Sequence, residues 1–127
     1  MAQALMNQDT RDEVLTAVAP GTMAARNAAR AVSTYQMGQI VNMTPVEVIK
    51  RLYEVAIVAC RKQDIVLGRK AINELIRGLN FEYAEIATGL FRLYDYAKRM
   101  MRKGDYDEAA RVLTELRSAW VEAFKLE

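Results

Sequence analysis

The sequence LYEVAIVACRKQD at residues 52–64 is nearly repeated as LYDYAKRMMRKGD at residues 93–105, at an offset of 41 positions. In both copies an apolar stretch with helical spacing ends in two basic residues, one turn residue and an aspartate that can cap a following helix. Each copy therefore predicts a helical hairpin whose two helices run antiparallel. Two hairpins are too few for a solenoid, so we expect an all-α protein in which they pack as an antiparallel four-helix bundle.

The first hairpin has clear start signals for both of its helices. Thr44-Pro45-Val46-Glu47 places a hydroxyl at the N-cap, proline at the first helical position and a glutamate that closes a capping box. Asp64 can cap the second helix, which we expect to end at about Asn80.

The second hairpin is bounded in the same way. Its first helix is predicted from about Phe81 to Lys103, with Gly104 as the C-terminal stop. Asp105-x-x-Glu108 predicts a second capping box at the start of the last helix.

The first 43 residues differ from the remainder, so we divide the chain into an N-terminal arm at residues 1–43 and the bundle at residues 44–127. Thr10-x-x-Glu13 opens a short helix that Pro20-Gly21 stops, and Thr22 opens an alanine-rich helix through Val32. An extended segment then leads to the bundle. Both short helices have little apolar bulk, so we expect the order of this arm to depend on docking to the bundle.

The composition indicates a single soluble domain. The 127 residues include 18 basic and 16 acidic ones, and no apolar stretch approaches the roughly 20 residues needed to span a bilayer. The start, MAQALMNQDTRDEV, lacks the basic and then apolar regions of a secretory signal. Together with the single cysteine, Cys60, this predicts a cytoplasmic protein that does not bind a membrane.

Residues suited to catalysis are scarce. The absence of histidine removes the usual general base at neutral pH and the common histidine ligands of metal sites. Cys60 lies on an apolar helical face and is expected to be a buried thiol, and the six glycines form no phosphate-binding loop. We therefore expect no enzymatic activity, no cofactor and no metal.

The third helix has more apolar surface than a surface helix needs. On a helical wheel its apolar arc spans roughly 220°, with Phe91 on one flank and Leu93, Tyr96 and Met100 widening the other. Two interpretations are open. In the first, this surface is permanently buried, either under the N-terminal arm or because the helix is central in the bundle. In the second, the surface is a groove for the amphipathic helix of a partner.

Six short motifs occur in a particular order between about residues 35 and 124: Tyr35-Gln36 to Ile40, Thr44-Pro45, Leu52-Tyr53-Glu54-x-Ala56-Ile57, Glu85-Ile86-Ala87, Leu93-Tyr94-Asp95-Tyr96 and Leu116-Arg117-x-Ala119-Trp120. This set resembles the flagellar export chaperone family FliS, although Val55 stands where the family usually has glycine. The resemblance implies a cytoplasmic, non-catalytic helical bundle that binds the C-terminal segment of flagellin. Such a chaperone prevents premature polymerisation and helps deliver flagellin to the type III export apparatus.

Combined with this resemblance, the wide face of the third helix gives a predicted partner-binding set: Phe91, Leu93, Tyr96 and Met100, with Ile72 and Ile76 from the adjacent helix. The family positions Tyr53, Tyr94 and Trp120 are expected to organise the core. The resemblance also implies an N-terminal segment that covers part of the binding surface without client, and Tyr35, Gln36 and Ile40 are the residues that match it.

Two other functions remain open from sequence. The wide face could be buried against a second copy, giving a homodimer or other homo-oligomeric adaptor bundle that binds a different amphipathic helix. A nucleic-acid-binding module could use Arg26, Arg30 and the basic cluster at residues 99–103. The net charge of only +2 argues against nucleic acid as a partner.

Overall fold

A computed structural model describes residues 44–126. They form four α-helices, which we number α1 (Pro45–Arg61), α2 (Ile65–Arg77), α3 (Ala84–Arg102) and α4 (Tyr106–Phe124). A 3₁₀ turn at Phe81–Tyr83 precedes α3, and this part of the chain contains no strand. The helices pack in a ring in which α1 and α3 each contact α2 and α4. The predicted all-α four-helix bundle is confirmed, whereas the N-terminal arm and its cover residues lie outside the described residues.

The helix starts follow the predicted capping. The hydroxyl of Thr44 accepts the N–H of Glu47 at 3.4 Å, and Glu47 Oε1 accepts the N–H of Thr44 at 3.1 Å, which completes the capping box. The Asp64 carboxylate accepts the N–H of Leu67 at 3.1 Å. These bonds satisfy backbone donors that have no partner inside the helix, and so fix where α1 and α2 begin.

The predicted end of α2 was wrong. This helix ends at Arg77, where the Gly78 N–H bonds to the carbonyl of Glu74 at 3.2 Å. Asn80 instead accepts the N–H of Glu82 at 3.0 Å and so caps the 3₁₀ turn that leads into α3. Asparagine is common at both the starts and the ends of helices, and the prediction placed Asn80 at an end although it caps a start.

The second predicted capping box is only half formed. Asp105 accepts the N–H of Glu108 at 3.2 Å, as expected. The Glu108 carboxylate does not return to the N-cap, because it accepts hydrogen bonds from Arg111 and Tyr96. Bonds from a guanidinium to a carboxylate are stronger than a bond to a neutral backbone N–H, which explains the preference.

The two hairpin turns are equivalent, as the repeat predicts. Gln63 and Gly104 each have a left-handed backbone, with φ of 55° and 84°. The following aspartates donate their N–H to the carbonyls of Ala59 and Met100, each at 2.8 Å. The offset of 41 in the sequence therefore corresponds to one turn structure used twice.

The repeated tyrosines meet in the centre of the bundle. The hydroxyls of Tyr53 and Tyr94, 41 positions apart, lie 2.7 Å from each other, and both side chains are fully buried. The Trp120 ring packs edge-on to Tyr53 with centroids 6.4 Å apart, and its N–H donates to the Val46 carbonyl at 2.9 Å. The prediction that Tyr53, Tyr94 and Trp120 organise the core is confirmed.

An ion pair joins the first and last helices. Arg117 of α4 donates two hydrogen bonds to Glu54 Oε2 of α1, at 2.9 Å and 2.7 Å. Partial burial raises the pKa of Glu54, but the bonds from Arg117 and Arg51 outweigh this effect and the pKa is lowered overall. Glu54, which follows Leu52-Tyr53, and Arg117 of the last motif therefore have a structural role.

Candidate partner-binding surface

Helix α3 is the least covered long helix of the bundle. Five of its 19 residues are buried, against nine of the 17 residues of α1. Much of the apolar arc predicted from the sequence therefore remains partly exposed. This is the surface on which the sequence predicts a partner-binding site.

One flank of α3 faces α4 and holds three of the predicted contact residues. Leu93, Tyr96 and Met100 are partly buried and pack against the core, leaving part of each side chain accessible. Their spacing of three and four residues places them in one row. We call this row the α3–α4 flank.

Tyr96 is held in place on this flank by α4. Its hydroxyl donates to Glu108 Oε2 at 2.6 Å, and Arg111 donates to both carboxylate oxygens at 2.6 Å and 2.9 Å. The bonds from Arg111 and then from Tyr96 lower the pKa of Glu108 to about 2. The bond to Glu108 raises the pKa of Tyr96, so the hydroxyl remains a donor. The α3–α4 flank therefore combines apolar surface with a fixed polar edge.

Phe91 lies on the other flank of α3. It is 38% exposed and packs edge-on to Phe81, with ring centroids 6.5 Å apart. On the same side of α3, Lys98 Nζ donates to Asn73 Oδ1 of α2 at 2.8 Å. The structure therefore does not bring Phe91 together with Leu93, Tyr96 and Met100. It forms a separate aromatic pair near α2.

The two predicted residues of α2 differ in accessibility. Ile76 is partly buried and packs against the core, whereas Ile72 is 0% exposed. A partner has no access to the Ile72 side chain in this arrangement.

Sequence reasoning missed Phe81 and Glu108 as parts of these surfaces. Phe81 is 53% exposed beside Phe91, and its position at the predicted start of the third helix was the available signal. Glu108 contacts Tyr96 from another helix, and nothing in the local sequence indicates this contact.

Other chemistry has few candidates in the described chain. Cys60 is buried, and desolvation raises the pKa of its thiol to about 11, which leaves it protonated and unreactive at neutral pH. Among residues 44–126 no three Asp, Glu, Cys or His side chains are grouped so that they could hold a metal ion.

The basic cluster at residues 99–103 is partly engaged by its own helix. Arg99 pairs with Asp95 at 3.1 Å and lies over the Tyr96 ring, 5.8 Å from its centroid. Arg102 and Lys103 are exposed where α3 ends, and cations there interact favourably with the helix dipole.

The described residues define an antiparallel four-helix bundle with a partly uncovered apolar helix. No helix within residues 44–126 has the length and apolar character to cross a membrane. A comparison with protein families matches residues 27–127 to the family described as Flagellar protein FliS. Because the match covers most of the chain, this protein belongs to the FliS family, whose members are flagellar chaperones and not enzymes. No curated protein and no solved structure matches the chain.

Proposed function

We propose that this protein acts in the cytoplasm as a flagellar export chaperone that binds the C-terminal segment of flagellin. It prevents flagellin from polymerising too early and helps deliver it to the type III export apparatus. The family match over residues 27–127 carries this proposal. The accessible apolar surface of α3 is the physical feature that supports it.

An amphipathic segment of the client can dock on the α3–α4 flank. Leu93, Tyr96 and Met100 offer a row of partly exposed apolar and aromatic groups, and such rows bind one face of a partner helix. A segment that is disordered before binding can fold along this row and bury it from water. We therefore assign the principal client contact to this flank.

The pair of Phe81 and Phe91 provides a second contact. Since Phe91 and the α3–α4 flank lie on opposite sides of α3, one straight helix cannot reach both. A client that uses both must pass around α3, as an unfolded segment can. Ile76 supports this second contact from α2.

Ile72 contributes only if α2 moves away from the core, so Ile72→Ala should lower stability more than affinity.

The segment containing Tyr35, Gln36 and Ile40 is proposed to cover part of this surface when no client is bound. These residues lie outside the described part of the chain. The proposal rests on their similarity to the cover segment of the family, and their displacement by client would expose the α3–α4 flank.

Calorimetric titration with the C-terminal segment of flagellin from the same genome tests the proposal. A dissociation constant in the micromolar range or below, about −8 kcal/mol or better, is expected. The titration is repeated at two temperatures because burial of apolar surface can give little heat at one of them. Absence of binding at both temperatures, also after deletion of residues 35–40, would contradict the proposed client.

Matched variants locate the contact. Phe91 and Val58 are 38% and 39% exposed, but Val58 lies on α1 away from the proposed surface. We expect Phe91→Ala and the double variant Tyr96→Ala/Met100→Ala each to weaken binding at least about 10-fold, with Val58→Ala unchanged. Helicity and melting temperature should remain close to those of the unmodified protein. Tyr96→Phe, which removes only the bond to Glu108, separates loss of contact from loss of this bond.

Self-association is the competing use of the same apolar surface. It predicts a mass that increases with protein concentration and no affinity for the flagellin segment. Sedimentation across a range of concentrations distinguishes the two functions.

A further inference from the structure

The outward face of α2 lines an open groove that the proposed function does not use. Its volume is about 390 Å³, and the described residues that line it all come from this helix: Val66, Arg69, Lys70, Asn73, Glu74 and Arg77. Val66 is 72% exposed, so the groove has an accessible apolar side chain at the start of the helix. Within residues 44–126, α2 packs on α1 and α3 through its other sides.

The charge of this groove is positive. Three of its lining side chains are cationic, and Lys98 of α3 adds a fourth cation by donating to Asn73 at 2.8 Å. The one acid among the described lining residues, Glu74, is 7% exposed and pairs with Arg77 at 3.1 Å. A ligand that complements this groove therefore carries negative charge and a small apolar face.

Glu74 also presents an unsatisfied group. Its Oε2 atom is buried and has no hydrogen-bond partner. A buried carboxylate oxygen without a donor is unfavourable, so rotation of the Glu74 side chain toward the groove would let it accept a hydrogen bond from a docked hydroxyl or N–H group.

We propose that residues 9–18 of the same chain, DTRDEVLTAV, dock in this groove. They lie outside the described residues and precede the family match at residues 27–127. They contain three acids, at positions 9, 12 and 13, against one arginine. Val14, Leu15 and Val18 supply apolar groups at helical spacing, and the hydroxyls of Thr10 and Thr16 are potential donors to Glu74.

The connecting chain is long enough for this interaction. Residues 19–43 separate the segment from the start of the bundle at Thr44. As a flexible chain they would span about 28 Å on average, while α2 is only about 20 Å long. A linker matched to the distance it spans gives an effective concentration on the order of millimolar, so even a weak contact is occupied. The interaction is independent of the client proposed above.

Hydrogen exchange of the full-length chain, followed by mass spectrometry, tests the docking. Residues 9–18 should exchange about 10-fold more slowly than a free peptide of the same sequence if they are bound nine-tenths of the time. Arg69→Glu/Lys70→Glu should abolish this protection, because it reverses the charge of the groove. Raising the salt concentration to about 0.5 M should also reduce it, since exposed charges are then screened.

Two controls make the result specific. Arg61→Glu/Lys62→Glu makes the same change of charge at the exposed first turn and should leave the protection intact. Adding Asp12→Lys/Glu13→Lys to Arg69→Glu/Lys70→Glu should restore it by exchanging the signs of both partners. Melting curves verify that every variant is folded.

Three results would overturn the inference. The first is exchange of residues 9–18 at the rate of the free peptide. The second is protection that does not change when the charge of α2 is reversed. Protection that increases with protein concentration would assign the groove to a second copy or another partner instead of to the same chain.

Discussion

The paired hydroxyls of Tyr53 and Tyr94 make a prediction that depends on both residues together. Each is fully buried, and their oxygens are 2.7 Å apart. Tyr53→Phe or Tyr94→Phe alone removes one partner and leaves the other hydroxyl buried without its bond, which should cost about 1–3 kcal/mol. The double variant removes both hydroxyls and leaves none unpaired, so its loss should be about 1 kcal/mol or less.

A double-mutant cycle measures this difference. Urea unfolding of the four proteins, followed by circular dichroism and by Trp120 fluorescence, gives their free energies of unfolding. The summed losses of the two single variants should exceed the loss of the double variant by at least about 1 kcal/mol, and the double variant should be at least as stable as either single variant. Strictly additive losses would refute the pairing of the hydroxyls. Unequal m-values would show that the variants change more than this bond.

Three further results are expected from the turns, the ion pair and the thiol. Gln63→Gly should raise the free energy of unfolding, measured in urea, by about 0.5–1 kcal/mol, because glycine relieves the strain of φ 55° at this position. Gly104→Ala should lower the free energy of unfolding, because alanine is strained at the positive φ of Gly104. Changes of the opposite sign would contradict the turn geometry. Glu54→Gln should lose about 1 kcal/mol at pH 7. Because the folded pKa of Glu54 is lowered, its stabilisation is present above the unfolded pKa of about 4.3 and disappears as pH falls through the folded value, so the two proteins should converge in acid unfolding. Cys60 should react with a thiol reagent at pH 8 only at the rate at which the protein unfolds, and rapid labelling of the folded protein would contradict its burial.

The repeat made the hairpins predictable because it specifies local chemistry. Two basic residues, a turn residue and an aspartate satisfy the same backbone groups in both turns, with equal bonds of 2.8 Å from Asp64 and Asp105. The capping box at Thr44 is equally local. Interactions between residues close together in the sequence can be read from spacing where no distant side chain competes for the same groups.

Interactions between distant residues limited what could be predicted about the surface. The width of the apolar arc on α3 was visible, but the neighbour of each flank depends on packing. The bond from Tyr96 to Glu108 joins two helices, and it also explains why the second capping box is incomplete. Ile72, by contrast, lies near the middle of the apolar stripe of α2 on the wheel, so its burial could have been predicted, whereas Ile76 lies at the edge of that stripe and is only partly buried.

Seeded polymerisation of flagellin tests the central proposal most directly. Purified flagellin from the same genome is mixed with polymer seeds and followed by light scattering, with and without one equivalent of this protein. We expect polymerisation to be suppressed at about equal concentrations, and to recover with Tyr96→Ala/Met100→Ala but not with Val58→Ala. Unchanged polymerisation in the presence of the folded protein at concentrations well above micromolar would contradict its role as a flagellin chaperone.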